Sequence, residues 1–278
     1  MKKVFNKFML YVFLLLVGFI MVYPLIWLFF SSFKPNDEIF GSIKLLPTKV
    51  IWDSYLNGWK GSGQFSFGVF FFNSFKLVVP TVIFTILSST FVAYGFARFN
   101  FPLKKTLFLL MISTLMLPNA VLIIPRYIQF KGLGWLNTYN TFTVPALLAC
   151  YPFFIYMLVQ FFRGVPRELD ESAKIDGCNS FTILLRILLP LSGPALISAA
   201  LFQFIWTWND FFNSLIYINS VKKFTVTLGL RMSLDNAATA NWNEILAMSM
   251  VAMLPCVLLF FFSQKYFVEG IATTGLKG

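Results

Sequence analysis

The chain has 278 residues, of which 58% are hydrophobic and only 12% charged, and its mean hydropathy is +0.75. Soluble domains carry about 25% charged residues; a water-soluble core of this size could not hide so much apolar surface, so the expected solvent is lipid. The formal charge of +11 comes without a basic stripe interleaved with aromatics, which argues against nucleic acid as a partner and for basic residues flanking membrane spans. Histidine is absent, which removes the commonest general base, proton relay and metal ligand and excludes a Ser-His-Asp or Cys-His hydrolase. Cys150, Cys178 and Cys256 lie far apart with no CxxC pair, so neither a disulfide framework nor a zinc site is expected.

The amino terminus begins with Lys2, Lys3 and Lys7 and continues uncharged over residues 8–30. Signal h-regions run about 7–15 residues, so this stretch reads as a retained first span. A helix needs about 20 apolar residues to cross the hydrocarbon core, and further uncharged runs of that order cover 77–97, 106–125, 138–162, 187–208 and 245–263. These runs are continuous rather than alternating, which excludes a membrane β-barrel. The expected fold is an all-α membrane protein with six transmembrane helices, forming one transmembrane domain over residues 1–278. Arg98, Lys104 and Lys105 fill the second link, Arg163, Arg167, Lys174 and Arg186 the fourth, and Lys265 and Lys277 follow the last span. With alternating spans these groups share one side with the amino terminus, which places both termini in the cytoplasm. On the other side, residues 34–73 and 211–244 form two long segments rich in aromatics. Loops of that length are usually functional or disordered, so they read either as partner contacts or as floppy connectors.

Between the fourth and fifth spans stands a polar stretch, "PRELDESAKIDGCNSFTILLRILLP", from Pro166 to Pro190. Pro166 suits the first turn of a helix, and Glu168, Asp170 and Glu171 favour its positive end. Val165, Leu169 and Ala173 form an apolar stripe, Gly177 supplies a left-handed stop, and Asn179 or Ser180 caps a second helix. Phe181, Leu184, Leu185 and Leu188 give that helix an apolar face, and Pro190 interrupts it. The loop between the two spans, about 164–186, is therefore either a solvated link or a docking element for a cytosolic partner. Two capped helices exceed what joining two spans requires.

Here the residues resemble a known family. Glu171-Ser172-Ala173, Asp176-Gly177, Ile187 and Leu189-Pro190 are similar to the "EAA" loop of permease subunits in binding-protein-dependent ABC importers, with Ser172 where alanine is usual. "FFNSFKLVVPT…FVAYGFARFNF", "LMLPNAVLIIPRYIQFKGLGWLNTYNT", "FIWTWNDFFNSLIYI" and "QKYFVEGIATTGLKG" resemble signatures of the carbohydrate branch, most of all its smaller maltose-type subunit. The resemblance implies the type I importer permease fold, a second permease as heterodimeric partner, an ABC ATPase dimer, an extracytoplasmic sugar-binding protein and a carbohydrate substrate. It implies that the EAA-like loop couples to the ATPase, with Glu171 and Gly177 its most typical members. The tail that includes Gln264, Gly270, Gly275 and Lys277 resembles tails that reach toward the ATPase; otherwise it is a frayed end. By position, residues 211–244 correspond to a loop that reaches the binding protein.

The nearest approach to a Walker A motif, Gly270 to Lys277, lacks Gly-Lys-Ser/Thr. The chain is therefore not expected to be an enzyme or to bind a cofactor, and ATP would be used by the partner ATPase. Asn209 and Asp210 close the fifth run; an ionisable residue at membrane depth is a functional candidate, although Asp210 also reads as a helix-end anchor. Gln203 lines the translocation path or bonds between helices. Pro118, Pro125, Pro145, Pro152 and Pro255 are candidate kinks. The rival readings are an ion-coupled secondary transporter or channel, an intramembrane enzyme and a structural scaffold. The first needs ionisable groups within the spans, which hold almost none, and the second needs a catalytic pair that the sequence does not show.

Overall fold

The computed structural model describes residues 2–61, 64–235 and 241–275, and these contain helices and irregular chain but no strand. Helix α1 (Lys2–Ser31) is apolar on all sides, and none of its most apolar window is buried within the chain, as befits a helix in lipid. The short helices α2 (Asn36–Gly41) and α3 (Asp53–Lys60) follow. Helix α4 (Phe67–Arg98) starts well before the expected Leu77. Lys76 interrupts the uncharged run, but its ammonium lies 4.7 Å from the Phe72 ring centroid, so the stem packs on apolar surface while the head stays at the edge.

The third expected span, 106–125, is not one straight helix. α5 (Lys104–Thr114) and α6 (Asn119–Gly132) meet at 101°. Pro118 stands immediately before α6 and has no N–H to continue α5. α7 (Asn140–Leu147) and α8 (Pro152–Gly164) together make a span-length element with a break at 148–151. Ala149 is left-handed there (φ 57°), and the Cys150 N–H reaches back to Pro145 O at 2.9 Å, the closing bond of a Schellman-type end with alanine in glycine's place. After α9 (Glu168–Ile175) come α10 (Ser180–Ile183), a π-helical turn (Leu184–Leu188) and α11 (Leu189–Leu191). α12 (Gly193–Trp208) then departs at 78°, so the expected straight run 187–208 is also bent. Ser192 and Gly193 mark the bend between Pro190 and Pro194, whose missing N–H groups weaken the helical ladder on both sides.

The chain continues through α13 (Phe211–Tyr217), α14 (Val226–Asp235) and α15 (Trp242–Gly275). Among the described residues, four elements are able to cross a membrane by length and composition, or up to six if each bent pair is one span.

Contacts divide the chain into two compact units, 1–69 with 229–254, and 70–228 with 255–278. In the first, the segment after α1 is a folded structure rather than a floppy connector. Glu38 accepts from Thr48 Oγ1 (2.7 Å) and from the Thr48 N–H (3.2 Å), and Lys34, fully buried, donates to Lys44 O (2.5 Å). The Phe33 ring meets Trp52 and Tyr55 at 4.9 and 5.2 Å. Gly58 lies so close to α15 that a Cβ would stand 3.1 Å from Glu244 O.

In the second unit the core gathers Ala93 and Ala97 of α4, Leu158 and Phe162 of α8, Ala173 of α9 and Leu188 of the π turn. Here too the extracytoplasmic candidate is ordered. Asn73 Nδ2 donates to Lys222 O and Phe224 O at 2.8 and 3.0 Å, and Asn137 Oδ1 accepts from the Ser220 N–H at 3.0 Å. Part of the expected 211–244 loop is thus helix pinned by side-chain amides; residues 236–240 lie outside the described residues.

Candidate functional site

Two features of the second unit hold the predicted site residues: the polar helix α9 with its following turn, and a cleft beside α12.

The α9 turn has the chemistry read from the sequence. The Gly177 N–H bonds to Lys174 O (3.0 Å) and the Cys178 N–H to Ala173 O (2.9 Å), the paired bonds of a Schellman motif. Gly177 has φ 80°, which L side chains resist. Asn179, rather than Ser180, caps α10: its Oδ1 accepts from the Thr182 N–H at 2.8 Å. Asn179→Ala is expected to cost about 0.5–2 kcal/mol, read as faster hydrogen exchange over 180–184; unchanged protection there would contradict the cap.

The faces differ from expectation. Ala173 is buried and Val165 half-buried, but Leu169 is exposed. Ile183, Leu184 and Leu188 are buried, whereas Phe181 and Leu185 are exposed. The π turn over 184–188 shifts the register after Ile183, which turns Leu185 outward. Of the motif residues, Glu171, Ser172, Asp176, Gly177 and Pro190 are exposed, and Ile187 and Leu189 pack partly against the core. The Ser172 hydroxyl turns back to Glu168 O (2.9 Å), so serine in the alanine position is absorbed within the helix.

One element escaped the sequence reading. Asp170 points inward, and its Oδ2 lies 2.9 Å from Arg98 Nε, with the two side chains 13% and 5% exposed. Arg98 also donates to Val165 O (3.0 Å), and Arg167 donates to Ala97 O (3.4 Å). Tyr94 donates to Ser180 O (2.9 Å). The polar helix is thereby tied to the carboxyl end of α4, where a cation also suits the helix dipole. The signal was available: a lone Arg closing a long apolar run, and three acids in one helical turn of which one had to face inward.

The cleft has a volume of about 520 Å³ and forms where the helices break, between the α5–α6 bend, the 148–151 break and the end of α12. Pro145 and Pro152 line it; Pro118 stands at the bend, and Pro125 and Pro255 lie inside α6 and α15. Gln203, Thr207 and Asp210 face it, but Asn209 does not; the Asn209 side chain is exposed and donates to Ile205 O at 2.9 Å. Gln203 Nε2 donates to Thr207 Oγ1 (2.9 Å), a bond within one helix rather than between two. Asp210 caps α13, accepting from the Asn213 N–H (3.1 Å) and Nδ2 (2.8 Å). Burial pushes its carboxyl above the ordinary range, against the pull of the Asn213 bonds. Arg126, which also lines the cleft, donates to Asn119 Oδ1 at 2.9 Å.

Of the tail residues, Gln264 is exposed, Gly270 and Gly275 fall within α15, and Lys277 lies outside the described residues.

A family model, the inner membrane component of binding-protein-dependent transport systems, matches residues 86–273. The chain belongs to this family. The permease is a multi-pass membrane protein. It is 34% identical over 96% of its length, and 88% of the relative's, to the probable ABC transporter permease protein YurM of Bacillus subtilis. With the arabinooligosaccharides transport system permease protein AraQ of Halalkalibacterium halodurans it shares 33% identity over 94% of its own length and 93% of that chain. With the trehalose/maltose transport system permease protein MalG of Thermococcus litoralis it shares 28% over 100% and 99%. Its fold matches a chain of a bacterial ABC transporter involved in the import of the acidic polysaccharide alginate, with a TM-score of 0.83 at 20% identity, covering 95% of the permease and 97% of that chain. The permease thus has the ABC importer permease fold.

Proposed function

We propose that the chain is one transmembrane subunit of an ATP-driven carbohydrate importer and couples to separate ATPase subunits through α9 and the Gly177 turn. The observation that carries this reading is the outward face of α9. Glu168, Glu171 and Ile175 share one helical face; all three are exposed, Ile175 to 87%. Two acids and an apolar group on the outward face of a capped helix are what a docking helix offers a protein partner. The ion pair and the backbone contacts behind this face make α9 a rigid lever on α4, as a transmitted motion requires.

In this reading the bent pairs 104–132 and 180–208 each count as one span, which makes six. The basic residues of α9 and of both terminal regions then share the cytoplasmic side. The likeness to permeases named for arabinooligosaccharides and trehalose/maltose supports a sugar cargo, and the binding-protein-dependent family supports delivery by an extracytoplasmic binding protein; in this reading a second, different permease completes the pair. ATP closure of the ATPase pair would pull the two α9 levers and rock the permeases between outward-open and inward-open states. The chain has no Walker A of its own. An ion-coupled carrier is less favoured, since Asp210, the acid in the cleft, serves as a helix cap.

Glu171 is the expected anchor for an Arg or Lys of the ATPase, a charge-assisted bond. Glu171→Ala should leave the permease in the membrane at the wild-type level and shift it, on native gels, from the ATPase-bound complex to a lighter species. An unshifted complex would show that the acid is not the anchor.

A further inference from the structure

We propose that the cleft beside α12 is a sugar subsite contributed by this chain itself, taking a neutral polyhydroxylated ring with Trp206 as its stacking platform and Arg126 and Asp210 as partners for its hydroxyls. The inference rests on the importer reading and adds to it the residues that would hold the cargo.

Trp206 is the first ground. It lines the cleft and is 49% exposed, yet its ring is clamped by Phe153 (4.9 Å), Phe154 (5.3 Å) and Phe202 (6.1 Å). A large aromatic held this firmly loses little freedom when a ligand lands on it. Its open face suits the C–H face of a sugar ring, while the ring's hydroxyls stay free to pair at the edge.

The polar groups are the second. Arg126 uses one bond on Asn119 and has further N–H donors to offer. Asp210 has lone pairs beyond those engaged by Asn213. One cation and one anion in the same lining disfavour a ligand with a net charge and suit one with many hydroxyls, which both donate and accept. The third ground is size. The volume of about 520 Å³ lies within the range of about 300–1,000 Å³ usual for small-molecule sites.

The test uses the importer purified whole from membranes through a tag on this chain, then washed free of its binding protein. It is dialysed against an equimolar mixture of arabinotriose, trehalose, maltotriose and diacetylchitobiose, and the retained sugars are measured by mass spectrometry. The wild type is expected to retain at least one of them. Trp206→Ala should lower that retention about tenfold, and Trp206→Phe, which keeps an aromatic face, should restore most of it. Asp210→Asn keeps the helix cap and should lower retention as well. Retention of none of the four by an ATP-hydrolysing complex, or equal retention by Trp206→Ala, overturns the subsite. Purification without any ATPase would instead overturn the importer reading on which it rests.

Discussion

Asp170→Leu is expected to be the most damaging single change outside the membrane-spanning segments. It leaves Arg98, 5% exposed, buried at the end of α4 without its counter-charge, and breaking a buried pair from one side costs about 3–5 kcal/mol. The expected result is a permease that reaches the membrane in reduced amount, with α9 detached from α4 and uptake lost. The pair is itself not fully satisfied, since Asp170 Oδ1 is buried without a hydrogen bond. Replacing both members by apolar groups should therefore be close to neutral for stability. Thermal denaturation of Asp170→Leu, Arg98→Met and the double variant checks this. The single variants should melt well below the wild type and the double near it; a double variant whose loss equals the sum of the two single losses would mean that the two residues do not act as a pair.

Gly177→Val should have the next largest effect, by a different route. No atom lies within 4 Å of the place a Cβ would take, so crowding is not the cause. The cost is in the backbone: at φ 80° a side chain meets its own carbonyl, at about 1–2 kcal/mol, and a β-branched residue is the worst case. The Schellman bonds to Lys174 and Ala173 would open and the α9 lever would lose its fixed angle to α10. In reconstituted importer, uptake should fall about tenfold while ATP hydrolysis persists. Gly177→Asn, which tolerates the left-handed region, should lie between. Equal uptake by glycine, asparagine and valine would show that the turn's geometry has no part in coupling.

Both predictions rest on features of unequal visibility in the sequence. The turn was legible because glycine after a polar helix has few other uses, and Asn179 stood where a cap was needed. The Arg98–Asp170 pair was not, because which of Glu168, Asp170 and Glu171 faces inward depends on where α4 ends in space. A pattern read at 3.6 residues per turn puts Phe181, Leu184, Leu185 and Leu188 on one buried face; in the structure Ile183 joins Leu184 and Leu188 inside, Leu185 turns out within the π turn over 184–188, and Phe181, ahead of that turn, is exposed. Apolar runs marked the spans well, since lipid demands them, but not their bends. Composition is blind to a 101° break, and only Pro118 hinted at it. The cleft was legible by halves. Gln203 and Asp210 stood out as polar residues near apolar helix, whereas Trp206, Arg126 and Tyr217 come together only once the breaks at 115–118 and 148–151 are made.

The measurement that tests the central claim most directly is recovery of the tagged chain from its native membrane in mild detergent, followed by mass spectrometry of what accompanies it. The account predicts a P-loop ATPase and a second permease with the wild type, and the second permease without the ATPase when Glu171 and Gly177 are both substituted. The intact chain alone, under conditions that preserve other ABC complexes, would contradict it and leave α9 a solvated link between two spans.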